Sequence, residues 1–452
     1  MASPARERPW LRLPWPDRTL ALVLGTRLIP LLAAPVTLYL VATRRSAVEQ
    51  GFYFVLVNVQ ALASLVELGV GTIVVQFISH ESPSLHWRAD GALDGEPAAL
   101  ARALAVVRQG WRWYGRLAAL LMLAIPLGVA AFAPAAARGG VALVGAWTTV
   151  VLATALYFPL VPLLCTLEGA HGLARVQAVR LAQVALAIGA LWLTLARGDA
   201  MQAVAVYAIV WLVVPIAWLL YGHRAFIAQA LRAPHGVATL ASVQWRTGGT
   251  WLVLWASPQL LVQVVLALSG AADAGRVGMS LAIATAPVTL AGAWLQSRYP
   301  RFAATLATSG RPALDALVRQ SAALALGVCA LGGVAVMVFT ALLHAGAPQL
   351  ATRLLPTWAV TALAATGLGW LAIHAFTGYL RADREEPLLT ATSIGVAITI
   401  VASALAAPHG PDAATLAYTL AVLAGAVPLV AWRFVVERSR RVRSGERAAG
   451  RG

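Results

Sequence analysis

The sequence predicts an all-α polytopic membrane protein with about twelve transmembrane helices, and three observations support this fold class. Of the 452 residues, 60% are hydrophobic and 12% are charged, whereas about 25% of the residues in a soluble domain are charged. The apolar residues lie in long continuous runs rather than in alternation, which favours helices over the strands of a barrel. The basic residues collect in every second connection between these runs. This composition nearly rules out a soluble enzyme.

Twelve apolar runs can be marked, and each is long enough for a helix that crosses about 30 Å of hydrocarbon. They cover residues 19–43, 52–79, 114–136, 140–167, 176–196, 200–222, 247–270, 277–297, 318–343, 354–380, 388–407 and 412–436. The first run is too long for the apolar region of a signal peptide, so we expect it to be retained as the first span.

The arginines predict the orientation of these spans. All 34 basic residues are arginine, and 27 of them fall in the terminal segments and in alternate loops, against six in the opposite loops. Because basic residues stay on the cytoplasmic side, both termini are expected in the cytoplasm, at the bacterial inner membrane. The net charge of +16 is then a topology signal, and no nucleic-acid partner is expected.

The spans and loops divide the chain into five segments. We expect a cytoplasmic N-terminal segment (1–18), a first lobe (19–222), a cytoplasmic linker (223–246), a second lobe (247–436) and a basic cytoplasmic tail (437–452). The tail is interpreted as a lipid-facing anchor in preference to a partner site. In the longest loop, residues 90–97 are expected to be flexible, and a surface helix is expected from residue 98.

The two halves of the chain resemble each other. Gly51 and Gly275 each follow an acidic residue by two positions and open a long span, and Gln76 and Gln296 lie near the far ends of those spans. The offsets, 224 and 220 residues, are close to half the chain. This predicts two six-helix lobes related by a parallel pseudo-two-fold repeat, whose axis lies along the membrane normal.

Three segments carry a resemblance to a known family. Glu67-Leu-Gly-Val-Gly71, Gly270-Ala-Ala-Asp-Ala-Gly275-Arg-Val-Gly-Met279 and Gln296-Ser-Arg-Tyr-Pro300-Arg-Phe302 resemble the oligosaccharide flippase family of the multidrug/oligosaccharidyl-lipid/polysaccharide (MOP) exporter superfamily. The resemblance extends from about Thr19 to Trp432. It implies a MATE-like pair of six-helix bundles that moves undecaprenyl-diphosphate-linked sugars to the outer leaflet for polysaccharide or O-antigen biosynthesis. Many members have further C-terminal spans, whereas twelve spans are expected here.

Charged residues within the spans are the first candidates for a transport site, because they are costly there. Glu67 is the acid that lies well inside a span, and Arg27 is the clearest internal base. One interpretation is an ion pair that ties the first two spans together. The other is a cavity in which Arg27 binds the diphosphate while Glu67 serves as its partner or as a proton site.

Polar residues of the second span extend this candidate site. Gln60, Ser64 and Glu67 share one helical face, which is expected to meet a neighbouring helix or a wet cavity rather than lipid. His374 is the His deepest within a span, where a helix-packing hydrogen bond is preferred to a role in proton coupling.

Four further candidates lie at the start of the second lobe and at the end of its second span. Gln259 and Gln263 lie one turn apart after Pro258, and Arg246 lies at the cytoplasmic start of the same span. The amides are interpreted either as interhelical hydrogen bonds or as ligands for sugar hydroxyls. Arg298 could attract a phosphate headgroup, although an ordinary topology role is preferred.

The main functional expectation is a flippase for a lipid-linked oligosaccharide that works by alternating access, without enzymatic chemistry, metal or cofactor. Coupling to H⁺ or Na⁺, or consumption of the product outside, would supply the energy. The alternatives are a multidrug exporter of the MATE type and, with less support, a membrane glycosyltransferase or polymerase. The acids of the outer loops are Glu49, Asp199, Asp273 and Asp412, all in short turns, which disfavours the enzyme.

Overall fold

A computed structural model describes residues 18–66, 71–232, 241–383 and 386–449. The helices of the first half are α1 (Arg18–Arg44), α2 (Ala47–Val66), α3 (Thr72–Glu81), α4 (Pro97–Met122), α5 (Ala124–Arg138), α6 (Leu143–Tyr157), α7 (Val161–Leu167), α8 (Leu173–Arg197), α9 (Ala200–Gly222) and α10 (Arg224–Arg232). Those of the second half are α11 (Ala241–Leu268), α12 (Ala271–Ala284), α13 (Ala286–Gln296), α14 (Tyr299–Gly346), α15 (Pro348–Ala351), α16 (Thr357–Arg381), α17 (Leu389–Ala406), α18 (Pro411–Leu420) and α19 (Val427–Ala449).

Within the described residues, nine helices are long and apolar enough to cross a membrane, or ten if the bent pair α12 and α13 forms one span. When the bent pair is counted as one span, two of the twelve expected spans are still missing from this set. The span at 52–79 corresponds to α2 and α3, separated by residues 67–70, which lie outside the described part. The span at 247–270 corresponds to α11, whose apolar part covers Leu252–Leu268. The predicted class of polytopic helical protein is confirmed, and the number twelve stays a prediction.

Four acids on one face of the molecule lie at helix N-termini. Glu49 and Ser46 form a reciprocal capping box at the start of α2, with N···O distances of 2.8 and 3.1 Å. Asp199 caps α9 by accepting a hydrogen bond from the backbone N–H of Gln202 at 2.8 Å. Asp273 and Asp412 lie in the first turns of α12 and α18. Negative charge at a helix N-terminus is stabilising, so each of these acids has a local structural role.

Corresponding helices pack in the same order within each half. In the first half α1 packs on α8, α8 on α9, and α2 and α9 on α6. In the second half α11 packs on α17, α17 on α18, and α12 and α18 on α16. This agreement favours the repeat proposed from the sequence, which a superposition of the two halves would test.

A β-hairpin and a short helix join the spans on the arginine-rich face, which we define as the face that carries the hairpin, α10 and the end of α19. Strands β1 (Leu85–Trp87) and β2 (Leu93–Gly95) pair antiparallel. Gln229 of α10 bonds both the backbone N–H and the carbonyl of Leu93, at 3.0 and 3.1 Å. The expectation of a flexible loop at 90–97 is therefore wrong, because these backbone groups are paired.

His223, between α9 and α10, completes this contact. Its ring lies edge-on to Trp87 and to Trp218, with centroid distances of 5.3 and 4.9 Å. Burial lowers the pKa of His223 below its ordinary value, and the positive charge of Arg175 lowers it further. A hydrogen bond to the Gly91 backbone raises the pKa but does not outweigh these effects. The segment expected to be a linker (223–246) therefore holds α10, which packs against the first half.

α14 is much longer than the apolar run that predicted it. At Gly310 the backbone takes φ 75° and ψ −175°, and a positive φ of this kind favours glycine. Pro312 follows within the same helix. The kink separates an arm on the arginine-rich face from the apolar part of α14.

Candidate functional site

The two halves meet through α2, which packs against α11 and α12. α2 and α12 cross at glycines, so their backbones approach closely. A Cβ at Gly275 would lie 2.9 Å from the backbone N of Gly51, and one at Gly278 would lie 2.5 Å from the ring of Phe54. These residues begin the helices on the arginine-poor face, which is the face opposite the hairpin. Toward the arginine-rich face, α3 and α13 pack mainly within their own halves.

Gln50 fastens this crossing. Its Nε2 donates to the carbonyl of Gly275 at 2.8 Å and to that of Arg353 at 3.0 Å, and its side chain is buried. Close by, Arg276 donates to the carbonyl of Leu354 at 3.2 Å. The joint between the halves on the arginine-poor face therefore combines close backbone packing with hydrogen bonds from one half to the other.

Three amide side chains lie deeper along the same helices. Asn58 donates from Nδ2 to the backbone carbonyl of Gln259 across the halves, at 3.4 Å. The side chains of Gln259 and Gln263 are both half-buried. Within the described structure, the Oε1 atom of Gln263 is buried and accepts no hydrogen bond. A buried acceptor of this kind is costly unless a ligand or water satisfies it.

Gln60 has a partner inside the first half. Its Oε1 accepts a hydrogen bond from the hydroxyl of Thr154 at 3.1 Å, and both residues are buried. The contact joins α2 to α6 and fixes the orientation of α2 where it faces the second half. This geometry supports the interhelical interpretation for Gln60 in this state.

Four predicted site residues lie at least partly outside the described structure. Glu67 falls in the undescribed segment 67–70. Arg27, Ser64 and Arg246 lie in α1, α2 and α11, but their side chains are outside the described part. The predicted pairing of Arg27 with Glu67, and a cavity role for these residues, stay proposals.

Arg298 lies at the elbow between α13 and α14. Its guanidinium lies 4.9 Å from the centroid of the Trp294 ring, a cation–π geometry. Next to it, the hydroxyl of Tyr299 donates to the backbone carbonyl of His374 at 2.8 Å. The elbow is thus tied to α16 through Tyr299, and the predicted residues Arg298 and His374 lie near each other in the second half.

An ion pair that the sequence did not indicate lies in the first half. Arg180 of α8 lies 3.5 Å from Glu168, in a π-helical turn (Glu168–Gly172) at the end of α7, and both side chains are less than one-fifth exposed. Arg180 lies four residues inside a marked span. That depth was the signal that could have separated it from the arginines of the loops.

A second set of ion pairs joins α19 to the rest of the second half, on the arginine-rich face. Asp383 accepts from Arg311 at 2.9 Å and from Arg441 at 2.6 Å. Arg438 donates to Asp315 at 2.5 Å. The tail is therefore a helix bound to its own lobe, and the interpretation as a lipid-facing anchor is wrong for Arg438 and Arg441.

A cavity of about 600 Å³ also opens in the first half, between α5, α6 and α9. Its lining is mainly alanine and other apolar residues, with polar groups from Thr149, Asp199 and Gln202. All of these residues belong to the first half, so this cavity is distinct from the interface of α2 with the second half.

Comparison with solved structures identifies the fold. The structure described as lipid II flippase MurJ in an inward closed conformation gives a TM-score of 0.65 at 11% identity, over 92% of this chain and 89% of that chain. An inward-facing MATE family multidrug transporter of the MOP superfamily gives 0.56 at 13%, over 95% and 96%. An outward-facing MATE transporter gives 0.54 at 12%, over 94% and 96%.

No protein family model and no curated protein sequence matches the chain. The solved structures named above are described as a flippase and as transporters. Together with the packing of the two halves, they show that the chain has the fold of MOP superfamily transporters.

Proposed function

We propose that the chain moves a polyprenyl-diphosphate-linked oligosaccharide across the bacterial inner membrane by alternating access. The observation that carries the proposal is the joint between the halves. α2 and α12 meet closely on the arginine-poor face, while amide groups lie deeper between the halves. The likeness in fold to a lipid II flippase over about nine-tenths of the chain adds support.

The arginine excess supports an orientation in which the arginine-rich face lies in the cytoplasm. The space between the lobes would then open toward the cytoplasm, where the substrate is made. Arg27 and Arg246 would offset the charge of the diphosphate, and Arg298 would attract it at the cytoplasmic edge. Ser64, Glu67, Gln259 and Gln263 would face the sugar, and Gln60 would hold α2 in register through Thr154.

Amides suit a sugar ligand because they donate and accept hydrogen bonds without fixed charge. The unpaired oxygen of Gln263 would accept from a sugar hydroxyl, so the ligand would remove the cost of that buried acceptor. The polyprenyl chain would stay in lipid during the crossing.

The direct test uses purified protein in liposomes with a fluorescent polyprenyl-diphosphate oligosaccharide, whose exposure is read with a membrane-impermeant quencher. We expect faster exchange between leaflets than in empty liposomes. We also expect Arg27→Ala to lose this activity at unchanged protein level, whereas Arg301→Ala, an exposed arginine outside the proposed site, keeps it. Equal exchange with and without protein would contradict the proposal.

A multidrug exporter is the second candidate, because MATE transporters also match the fold, with a TM-score of 0.56 over 95% of the chain. Export of cationic drugs calls for acids free to meet a cation. Among the residues that the structure describes, Glu168 pairs with Arg180, and the acids on the arginine-poor face lie at helix N-termini. Cells that carry the chain should therefore show unchanged ethidium efflux, and increased efflux would favour the exporter.

A further inference from the structure

The arginines of α4 fall into two groups. Arg102 binds Glu81 through two hydrogen bonds, at 2.9 and 2.7 Å, and these lower the pKa of Glu81. Arg108, Arg112 and Arg116 follow at intervals of four residues, so they form one row along the helix. Among the described residues, none of these three pairs with a carboxylate, and the buried Nε of Arg108 has no hydrogen-bond partner.

The row continues into an apolar stripe. Arg112 and Arg116 are exposed, and in continuation of their spacing Leu120, Leu123 and Leu127 are 64%, 55% and 68% exposed. The predicted span begins at residue 114, so the arginines lie where lipid headgroups meet the hydrocarbon and the leucines lie below them. A single outward face of α4 and α5 therefore presents guanidinium groups and then hydrocarbon, in the order of a phospholipid.

A notch lies in this row. Gly115 lies on the same face as Arg108 and Arg112, and a Cβ added at Gly115 would meet nothing within 4 Å. The missing side chain leaves the helix surface open at this point of the row. Arginine side chains are long enough to bend toward one level of the membrane, so the row can surround one headgroup.

Other arginines of the arginine-rich face are neutralised within the chain. Arg311 and Arg441 bind Asp383, Arg438 binds Asp315, and Arg381 binds Glu386. These four arginines of the second half thus form ion pairs within the chain, whereas others, such as Arg301 and Arg319, are exposed. The row on α4 differs in that its three arginines lie at helical spacing on one face and lead into the exposed leucines.

We propose that Arg108, Arg112 and Arg116, with the notch at Gly115, bind the headgroup of an anionic phospholipid in the cytoplasmic leaflet. Charge-assisted bonds from guanidinium to phosphate supply the affinity, and Leu120, Leu123 and Leu127 contact the acyl chains. The bound lipid would hold α4 against the membrane surface. The substrate pathway between the lobes is not involved.

Native mass spectrometry of the detergent-purified full chain tests this site, with dioleoyl phosphatidylglycerol and dioleoyl phosphatidylcholine as probes. The wild type should retain phosphatidylglycerol in preference to phosphatidylcholine. Each arginine near an anionic surface contributes roughly a factor of five in affinity, so Arg112→Gln/Arg116→Gln should weaken phosphatidylglycerol binding by roughly 30-fold. Gly115→Leu, which keeps all charges and fills the notch, should also weaken it.

Two matched controls make the result decisive. Arg301→Gln/Arg319→Gln removes two exposed arginines of the second half, and Gly327→Leu fills another open helical glycine. Both should bind phosphatidylglycerol as the wild type does. An equal loss in the arginine control would overturn the site in favour of a general charge effect. If Gly115→Leu binds phosphatidylglycerol with wild-type affinity, the notch has no role in binding. If the wild type retains inorganic phosphate as well as it retains phosphatidylglycerol, the ligand is not specifically a lipid.

Discussion

At the scale of single residues, Gly51 allows the close approach of α2 to α12 that joins the two lobes. A Cβ at this position would collide with the backbone carbonyl of Ala271, which no rotamer change can move. Gly51→Ala should therefore push α2 away from α12, at a cost typical of overpacking, about 1–3 kcal/mol. In a variant that lacks Cys165 and Cys329, a Gln50→Cys reporter, at a position 1% exposed in the wild type, should then react faster with an impermeant maleimide.

The matched control for this change is Gly145→Ala, because a Cβ at Gly145 would meet nothing within 4 Å. It lies near the start of α6 and should leave the labelling rate of the reporter unchanged. Equal acceleration by both substitutions would mean that the Gly51 crossing does not hold the arginine-poor face closed.

The sequence singled out Gly51 and Gly275 as matching positions, but it could not show that the two glycines meet. A sequence repeat indicates that two residues occupy equivalent positions in the two lobes. Whether these residues touch depends on where the pseudo-two-fold axis between the lobes lies. A residue that touches its own equivalent must lie beside that axis. The Glu168–Arg180 pair was missed for a related reason, because its partners lie on different helices and Arg180 was counted as a topology residue.

His223 gives a prediction about pH. Burial lowers the pKa of His223, so the docked hairpin holds the neutral ring, while an undocked His titrates near about 6.5. Docking should therefore weaken as the pH falls below about 6.5, since the undocked state binds more protons. Amides of residues 85–95 should lose protection from hydrogen exchange at about pH 5.5 relative to about pH 7.

His223→Phe keeps an aromatic ring between Trp87 and Trp218 and removes the titration. In His223→Phe the amides of the hairpin should be equally protected from hydrogen exchange at both pH values, after correction for the pH dependence of the intrinsic exchange rate. A wild-type pH dependence that persists in His223→Phe would assign the effect to another group.

At the scale of elements, the helical tail is the main departure from the sequence-based expectation. Asp383 holds Arg311 and Arg441, and the side chains of Asp383 and Arg441 are 17% and 11% exposed. Asp383→Asn would remove the carboxylate that Arg311 and Arg441, two poorly solvated guanidinium groups, share, a change that destabilises strongly when buried. The purified variant should melt several degrees lower, and its residues 427–449 should become sensitive to protease.

Asp90→Asn is the control, because the pair of Asp90 with Arg88 is more than half exposed and such pairs contribute little. Its melting temperature should match that of the wild type. If Asp383→Asn melts like the wild type too, the tail is not fastened through this carboxylate.

Sequence periodicity located most helices because continuous apolar runs leave few alternatives to a membrane helix. It failed where polar residues continue a helix beyond the bilayer. α19 runs to Ala449, well outside its apolar run. The start of α4 at Pro97, by contrast, agrees with the surface helix expected from residue 98. The β-hairpin was missed because its pairing depends on Gln229 and on the packing of His223, both distant in sequence.

At the scale of the whole molecule, the α2–α12 crossing would act as the gate of the proposed transport cycle. The two lobes would rock about their joint, and the arginine-poor face would open when Gly51 leaves Ala271. On that face Glu49 and Asp199 cap helices, so both carboxylates have a structural role there. Function then depends on whether the lobes separate at this crossing.

A reversible cross-link tests that dependence most directly. The Cγ of Gln50 lies 3.2 Å from the Cβ that a residue at position 275 would carry, so cysteines at both positions can approach disulfide geometry. Because that Cβ would also lie 2.9 Å from the backbone N of Gly51, the reference for the oxidised double variant is the same variant in its reduced form. In a background without Cys165 and Cys329, oxidised Gln50→Cys/Gly275→Cys protein in liposomes should fail to exchange the labelled polyprenyl-diphosphate oligosaccharide. Reduction should restore exchange, and each single cysteine variant should be insensitive to oxidant. Undiminished exchange in the fully cross-linked protein would contradict alternating access through this gate.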